Sequence, residues 1–189
     1  MIVGNPAVFA IESGITNAYQ RLSFRALGYF AIHVGGCRYG VVAPDATLLA
    51  CSFEEVGERI ARRGEHTAPF ANTNEAFTIA TAFQSAIYFD EQDESYFGIP
   101  LSGFCKLIFG HHLQWAPDGD EAFDDGSSIL HFDIEDGVRL IAYHIGVASI
   151  VDRPTLKEVW LSADEFYRIL QEWHDVFEEE WRNTPKSPE

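Results

Sequence analysis

Ile129-Leu130-His131-Phe132-Asp133-Ile134-Glu135-Asp136-Gly137-Val138-Arg139-Leu140-Ile141-Ala142-Tyr143 is the stretch on which the fold turns. Apolar residues alternate with others on both sides of an Asp-Gly pair, the dipeptide most favourable for a tight type I′ turn. Alternation at period two puts successive side chains on opposite faces of a strand. The stretch therefore reads as a β-hairpin, with Ile129 to Glu135 going up, Asp136-Gly137 turning, and Val138 to Tyr143 returning. Leu130, Phe132 and Ile134 then share one face, and Val138, Leu140 and Ala142 are expected to join them.

Downstream, Lys157 to Leu161 reads as a further strand. Ser162-Ala163-Asp164-Glu165 has capping-box spacing, in which the hydroxyl accepts from the third helical amide. Phe166, Ile169, Leu170, Trp173, Phe177 and Trp181 then recur at three- and four-residue steps, the stripe of an amphipathic helix. Glu172, Asp175, Glu178 and Glu179 occupy the remaining surface. Residues 183–189 are expected to form a flexible tail, leaving residues 1–182 as one α+β domain.

Upstream, Ala7 to Glu12 and Gly28 to Val34 read as strands. Phe30, Ile32 and Val34 lie on one face of the second, and Tyr29, Ala31 and His33 on the other. Gly35-Gly36 is a two-residue hairpin signal, with Cys37 to Val42 as the returning strand. Ser52-Phe53-Glu54-Glu55 repeats the capping-box pattern, so a helix is expected to begin at Ser52 and to end near Gly64. Thr73 to Phe89 carries a second helical stripe through Ala76, Phe77, Ala80, Phe83 and Ile87. Cys105 to Phe109 is expected as a strand. The result is an α+β fold: an antiparallel or mixed β-sheet with two to three helices packed on it, including the C-terminal amphipathic helix.

Bulk properties narrow the function. The 189 residues are 47% hydrophobic, enough for a substantial core. No basic n-region or apolar h-region opens the chain, and no run approaches the roughly 20 residues that span a bilayer, so a cytosolic location away from membranes is expected. Cys37, Cys51 and Cys105 are widely spaced and form no CxxC, which fits reduced thiols in the core or half-buried. Charge is the outstanding feature, with 29 acidic against 13 basic residues and a formal net charge of −16. Residues 116–189 hold 18 of those 29 acids and only 6 of the 13 bases. A negative field repels phosphate backbones and attracts basic proteins. Nucleic acid is therefore not expected as a direct ligand.

Motifs of chemistry are sparse. Asp118 and Asp120 match the first positions of a calcium loop, but Ala122, Phe123 and Ile129 stand where a ligand, a glycine and a glutamate are required. There is no HExxH, no structural-zinc spacing, no GxSxG elbow and no phosphate-binding glycine loop. No catalytic residue and no cofactor is therefore expected. The alternative is a small metal-dependent enzyme or metal-binding protein using His111, His112, His131 or His144. His131 and His144, both on the hairpin strands, could then lie near each other across the sheet.

The N-terminal Gly4-Asn5-Pro6-Ala7-Val8-Phe9-Ala10-Ile11-Glu12 resembles the opening strand of the Imm42 family of bacterial immunity proteins. The Gly35-Gly36 turn, a middle helix, late strands and a C-terminal helix with Trp173 agree with the family's general plan. The resemblance implies a small α+β antidote, encoded beside a polymorphic toxin, that binds and neutralises the toxin domain. It brings no catalytic residues. The acidic clusters are the expected toxin-contact residues: Asp90, Glu91, Asp93 and Glu94, then Asp118, Asp120, Glu121, Asp124 and Asp125. The partner expected is the cognate toxin, with the chain itself a monomer or homodimer.

Overall fold

The computed structural model describes residues 1–88, 94–115 and 121–187. Four strands, β1 (Ile2–Asn5), β2 (Phe9–Ala18), β3 (Ala26–Val34) and β4 (Cys37–Tyr39), run antiparallel in chain order, and the short β5 (Thr47–Leu48) also pairs with β3. The β3–β4 turn is Gly35-Gly36, and both glycines have positive φ, as a type I′ turn requires. Phe30, Ile32 and Val34 face the core and are fully buried, while Tyr29 and His33 are half-buried on the other face. β2 and β3 approach so closely that a Cβ on Gly28 would lie 1.9 Å from the Gly14 carbonyl oxygen, so only glycine fits there.

Next come α1 (Leu49–Ala61), α2 (Ala76–Tyr88), the ribbon β6 (Ser95–Tyr96) and β7 (Ile99–Pro100), and α3 (Leu101–Gly110). β8 (Gln114–Trp115), β9 (Ser127–Ile134), β10 (Gly137–His144) and β11 (Lys157–Ser162) form a second antiparallel sheet in the order β11-β10-β9-β8. The C-terminal α4 (Ala163–Asn183) closes the domain. Its N-cap is as expected, with Ser162 Oγ accepting from the Glu165 amide at 3.2 Å. Phe166, Ile169, Leu170, Trp173 and Phe177 are buried along its stripe, each gaining roughly 1.5–3 kcal/mol from burial. Beyond α4 the chain turns back to the first sheet, where the Ser187 amide donates to the Ala18 carbonyl at 2.7 Å.

The second sheet is buried on both faces. Ile129, Val138, Leu140 and Ala142 pack with α1, α4 and the first sheet, while Leu130, Phe132, Ile141 and Tyr143 pack under α2 and α3. This corrects the hairpin. Its two turn residues are Glu135 and Asp136, so that Ile134 pairs with Gly137 and Leu130 with Ile141. Glu135 takes the positive φ, 52°. Residues paired across an antiparallel ladder share a face, so Leu130 sits with Ile141 and Phe132 with Arg139 whichever of the two turns is used. Val138, Leu140 and Ala142 therefore do not join Leu130 and Phe132.

Two further expectations change. Cys105 to Phe109 is helical, inside α3, because burial there follows a four-residue step: Phe104 and Ile108 are covered while Phe109 is exposed. The ring of Phe104 sits 5.4 Å from that of Phe83 on α2. Ser52 does not cap α1, which starts at Leu49, and the Ser52 hydroxyl is buried inside the helix without a hydrogen-bond partner. Four α-helices are present among the described residues, one more than the two to three expected. None is long and apolar enough to cross a membrane. Cys37 and Cys105 are half-buried, Cys51 is exposed, and no disulfide joins them.

Candidate functional site

A chain of buried polar groups runs through the middle of the domain. α1 carries Glu55 and, one turn later, Arg59, whose side chain is fully buried against the ring of Trp115. A buried guanidinium is tolerable only when its donors are paired. Here Nη2 donates to the Gln114 carbonyl at 2.8 Å, and Nη1 to the His112 carbonyl at 3.1 Å and His131 Nδ1 at 3.0 Å. Nε lies 2.8 Å from Glu55 Oε1, an ion-pair contact rather than an aligned hydrogen bond.

The geometry sets the tautomer of His131. Arginine only donates, so Nδ1 accepts and the ring proton sits on Nε2, which lies 3.4 Å from Asp133 Oδ1 without an aligned hydrogen bond. Burial, together with the positive charges nearby, pushes the His131 imidazole down to about 3 despite the Asp133 contact, so it stays neutral. Asp133 feels burial in the opposite sense. His131, the Tyr167 hydroxyl and a backbone amide outweigh it and hold the carboxyl at about 2. Tyr167 OH donates to both carboxylate oxygens at 2.8 and 3.0 Å, and the amides of Gly64 and His66 donate to Oδ2 at 2.8 and 3.1 Å. Burial and the adjacent Asp133 charge raise the Tyr167 phenol well above its usual range, so it remains a donor.

Asp133 and Tyr167 open onto a cavity of about 610 Å³ between the β9–β10 turn, the end of α1 and the start of α4. Four carboxylates line it, Asp133, Glu135, Asp136 and Asp164, against one cation, Arg63, which pairs with Asp164. This acidic hollow at the hairpin tip is a feature that composition alone missed. The Glu135-Asp136 pair in the turn was the available signal, but it read as punctuation between strands.

The expected contact residues divide. Asp90, Glu91, Asp93, Asp118 and Asp120 lie outside the described residues. Glu94 precedes β6 on the α2–α3 flank, where it accepts from the Tyr96 hydroxyl. Glu121 and Asp124 are exposed just before β9. Asp125 is committed to the fold: its carboxylate accepts from the amides of Gly40 at 3.1 Å and Ser127 at 3.0 Å and lies 3.5 Å from His144 Nε2. The 121–125 segment and the acidic cavity sit at opposite ends of the eight-residue β9, roughly 25 Å apart at about 3.3 Å per residue.

The four histidines do not converge. His131 pairs across the hairpin with Leu140, and His144 with Ser127, so the two are separated along the sheet rather than adjacent. His111 Nδ1 lies 2.8 Å from the Glu65 carbonyl oxygen, and His144 stacks on Tyr39. His131 and His144 each meet a single carboxylate, and His112 meets two. Ligand atoms of Glu55, Glu58 and His112 lie within 4.8 Å of one another, the donor set among the described residues that could hold a metal ion.

Comparison with known proteins agrees with this architecture. A search of curated proteins finds no match. Among solved structures, the crystal structure of CdiI from Burkholderia dolosa AUO158 is similar, with a TM-score of 0.58 and 17% identity over 95% of this chain and 99% of that one. At that identity the likeness concerns the fold. The family model of Immunity protein 42, Imm42, matches residues 1–176. By that match over nearly its whole length, the chain belongs to the Immunity protein 42 family.

Proposed function

We propose that this chain is an immunity protein that binds a cognate toxin domain and neutralises it by covering the toxin's active site or substrate path. Family membership across residues 1–176 carries the reading. The formal net charge of −16 supports a basic toxin. A nuclease, whose surface has to bind a polyanion, is the toxin class that such a field complements best. The exposed carboxylates Glu94, Glu121 and Asp124, with Asp90, Glu91, Asp93, Asp118 and Asp120, are the proposed steering surface, and Asp125 holds their loop in place.

The test is co-expression with the C-terminal domain of the secreted protein encoded in the adjoining reading frame. The toxin domain alone is expected to stop growth. Adding this chain is expected to restore growth, and the two proteins should co-elute in gel filtration. Unchanged toxicity with no complex would sink the proposal.

A further inference from the structure

We propose that the pocket between α1 and α3 receives a lysine or arginine side chain of the toxin; this deepens the immunity reading and rests on it. The pocket, about 300 Å³, lies at the other end of the buried polar chain from the acidic cavity. Glu55 forms one wall, Ile108 and Phe109 the other, and His112 and Gln114 complete it.

Its polar lining includes two acceptors, Glu55, which also pairs with Arg59, and Gln114. Gln114 is only 8% exposed, yet its Oε1 has no hydrogen-bond partner among the described residues. The amide is oriented by Nε2, which donates to Ser128 Oγ at 3.4 Å, so the carbonyl oxygen is the end left over. A buried acceptor without a donor is costly and calls for an explanation. Glu55 and Glu58 stand one helical turn apart, within 4.8 Å of the His112 ring nitrogen, and Glu58 is 62% exposed. The nearby cations do not line the pocket. Arg59 is turned to the core, and Arg62 donates to the Gly110 carbonyl at 2.7 Å.

The apolar wall completes the fit. Phe109 is 52% exposed, a large aromatic left open at the rim. A guanidinium stacks on such a face, and the methylene stem of lysine or arginine packs on the same ring. Acceptors at one end and an aromatic at the other match a long cationic side chain better than a bare ion. An aromatic beside charged groups in a desolvated pocket is also the make-up of an interface hot spot.

The experiment measures binding of the adjoining toxin domain to Glu58→Gln, Gln114→Leu and Phe109→Ala by surface plasmon resonance, with thermal melts showing that each variant folds. Each should weaken binding at least tenfold, mainly through faster dissociation, while Glu172→Gln on α4 leaves it unchanged. A Glu58→Lys variant should recover binding to a toxin whose matching cation is changed to glutamate. If the unaltered chain binds and the three folded variants bind equally well, the pocket is not the contact and the immunity reading stands. If the unaltered chain binds no toxin, both proposals fall. Titration with Zn²⁺ alone supplies the remaining arm: one tightly bound equivalent, lost in His112→Ala, would overturn the side-chain assignment in favour of a metal site.

Discussion

Arg59 Nη1 lies 3.0 Å from His131 Nδ1 with both side chains fully buried, so a permanent cation and a neutral imidazole share one dry site. Protonating that imidazole would place two like charges in contact away from water. The pair thus couples the stability of the fold to pH.

The sign follows from His131, held at about 3 in the folded chain. Unfolded, it takes a proton near 6.5. Its contribution is complete above that pH and is lost as pH falls from about 6.5 towards 3, at up to about 1.4 kcal/mol per pH unit. Asp133, depressed to about 2, adds a second loss below its unfolded value of 3.8. Urea melts between pH 7.5 and 4 should show declining stability, and His131→Asn should flatten the decline. His66, lowered by burial and by Arg59, and His174, lowered by burial, contribute to the slope that remains.

Arg59→Met is expected to cost about 3–5 kcal/mol, the usual penalty for removing one partner of a buried ion pair. It strands Glu55, His131 Nδ1 and the carbonyls of His112 and Gln114 without their donor. Arg59→Lys should recover little, because an ammonium cannot span partners arranged around a planar fork. Chemical denaturation of the three proteins at pH 7.5 checks both statements.

Two serines in the same Ser-x-x-Glu pattern should behave differently. Ser162 Oγ accepts from the Glu165 amide, so Ser162→Ala should cost about 1 kcal/mol. Ser52 lies inside α1 with its hydroxyl buried and unbonded, so Ser52→Ala should be neutral or stabilise by about 0.5 kcal/mol. Paired thermal melts decide the order.

The acids before β9 also separate by role. Replacing Glu121 and Asp124 by their amides should slow association with the toxin and flatten its salt dependence, leaving the melting temperature within error. Asp125→Asn should instead lower the melting temperature, because that carboxylate secures Gly40 and Ser127. Equal on-rates for the first pair would place the steering surface elsewhere.

Much of the fold was legible because it is local. The stripe of α4, its Ser162 cap and the Gly35-Gly36 turn each depend on residues within a few positions of one another, and the structure reproduces all three. The stretch containing α3 was ambiguous because a short apolar run such as Lys106-Leu107-Ile108-Phe109 fits either period, and only the packing of Phe104 against α2 selects the helix. The hairpin turn was ambiguous by one residue. Glu135-Asp136 and Asp136-Gly137 both suit a turn, and both leave the same side chains on each face, so the apolar pattern does not separate them.

By itself, then, the sequence determined the fold class, the C-terminal helix, the surplus of negative charge and, through Gly4 to Glu12, the family. Only the tertiary structure decided which Arg of Arg59, Arg62 and Arg63 is swallowed by the core. It alone united Glu55, Arg59, His131, Asp133 and Tyr167, and it alone left Gln114 Oε1 buried without a donor beside the α1–α3 pocket. Helical and strand periods are written in neighbouring residues, whereas a buried polar network depends on side chains brought together across distant segments, where burial and hydrogen-bond geometry set the outcome.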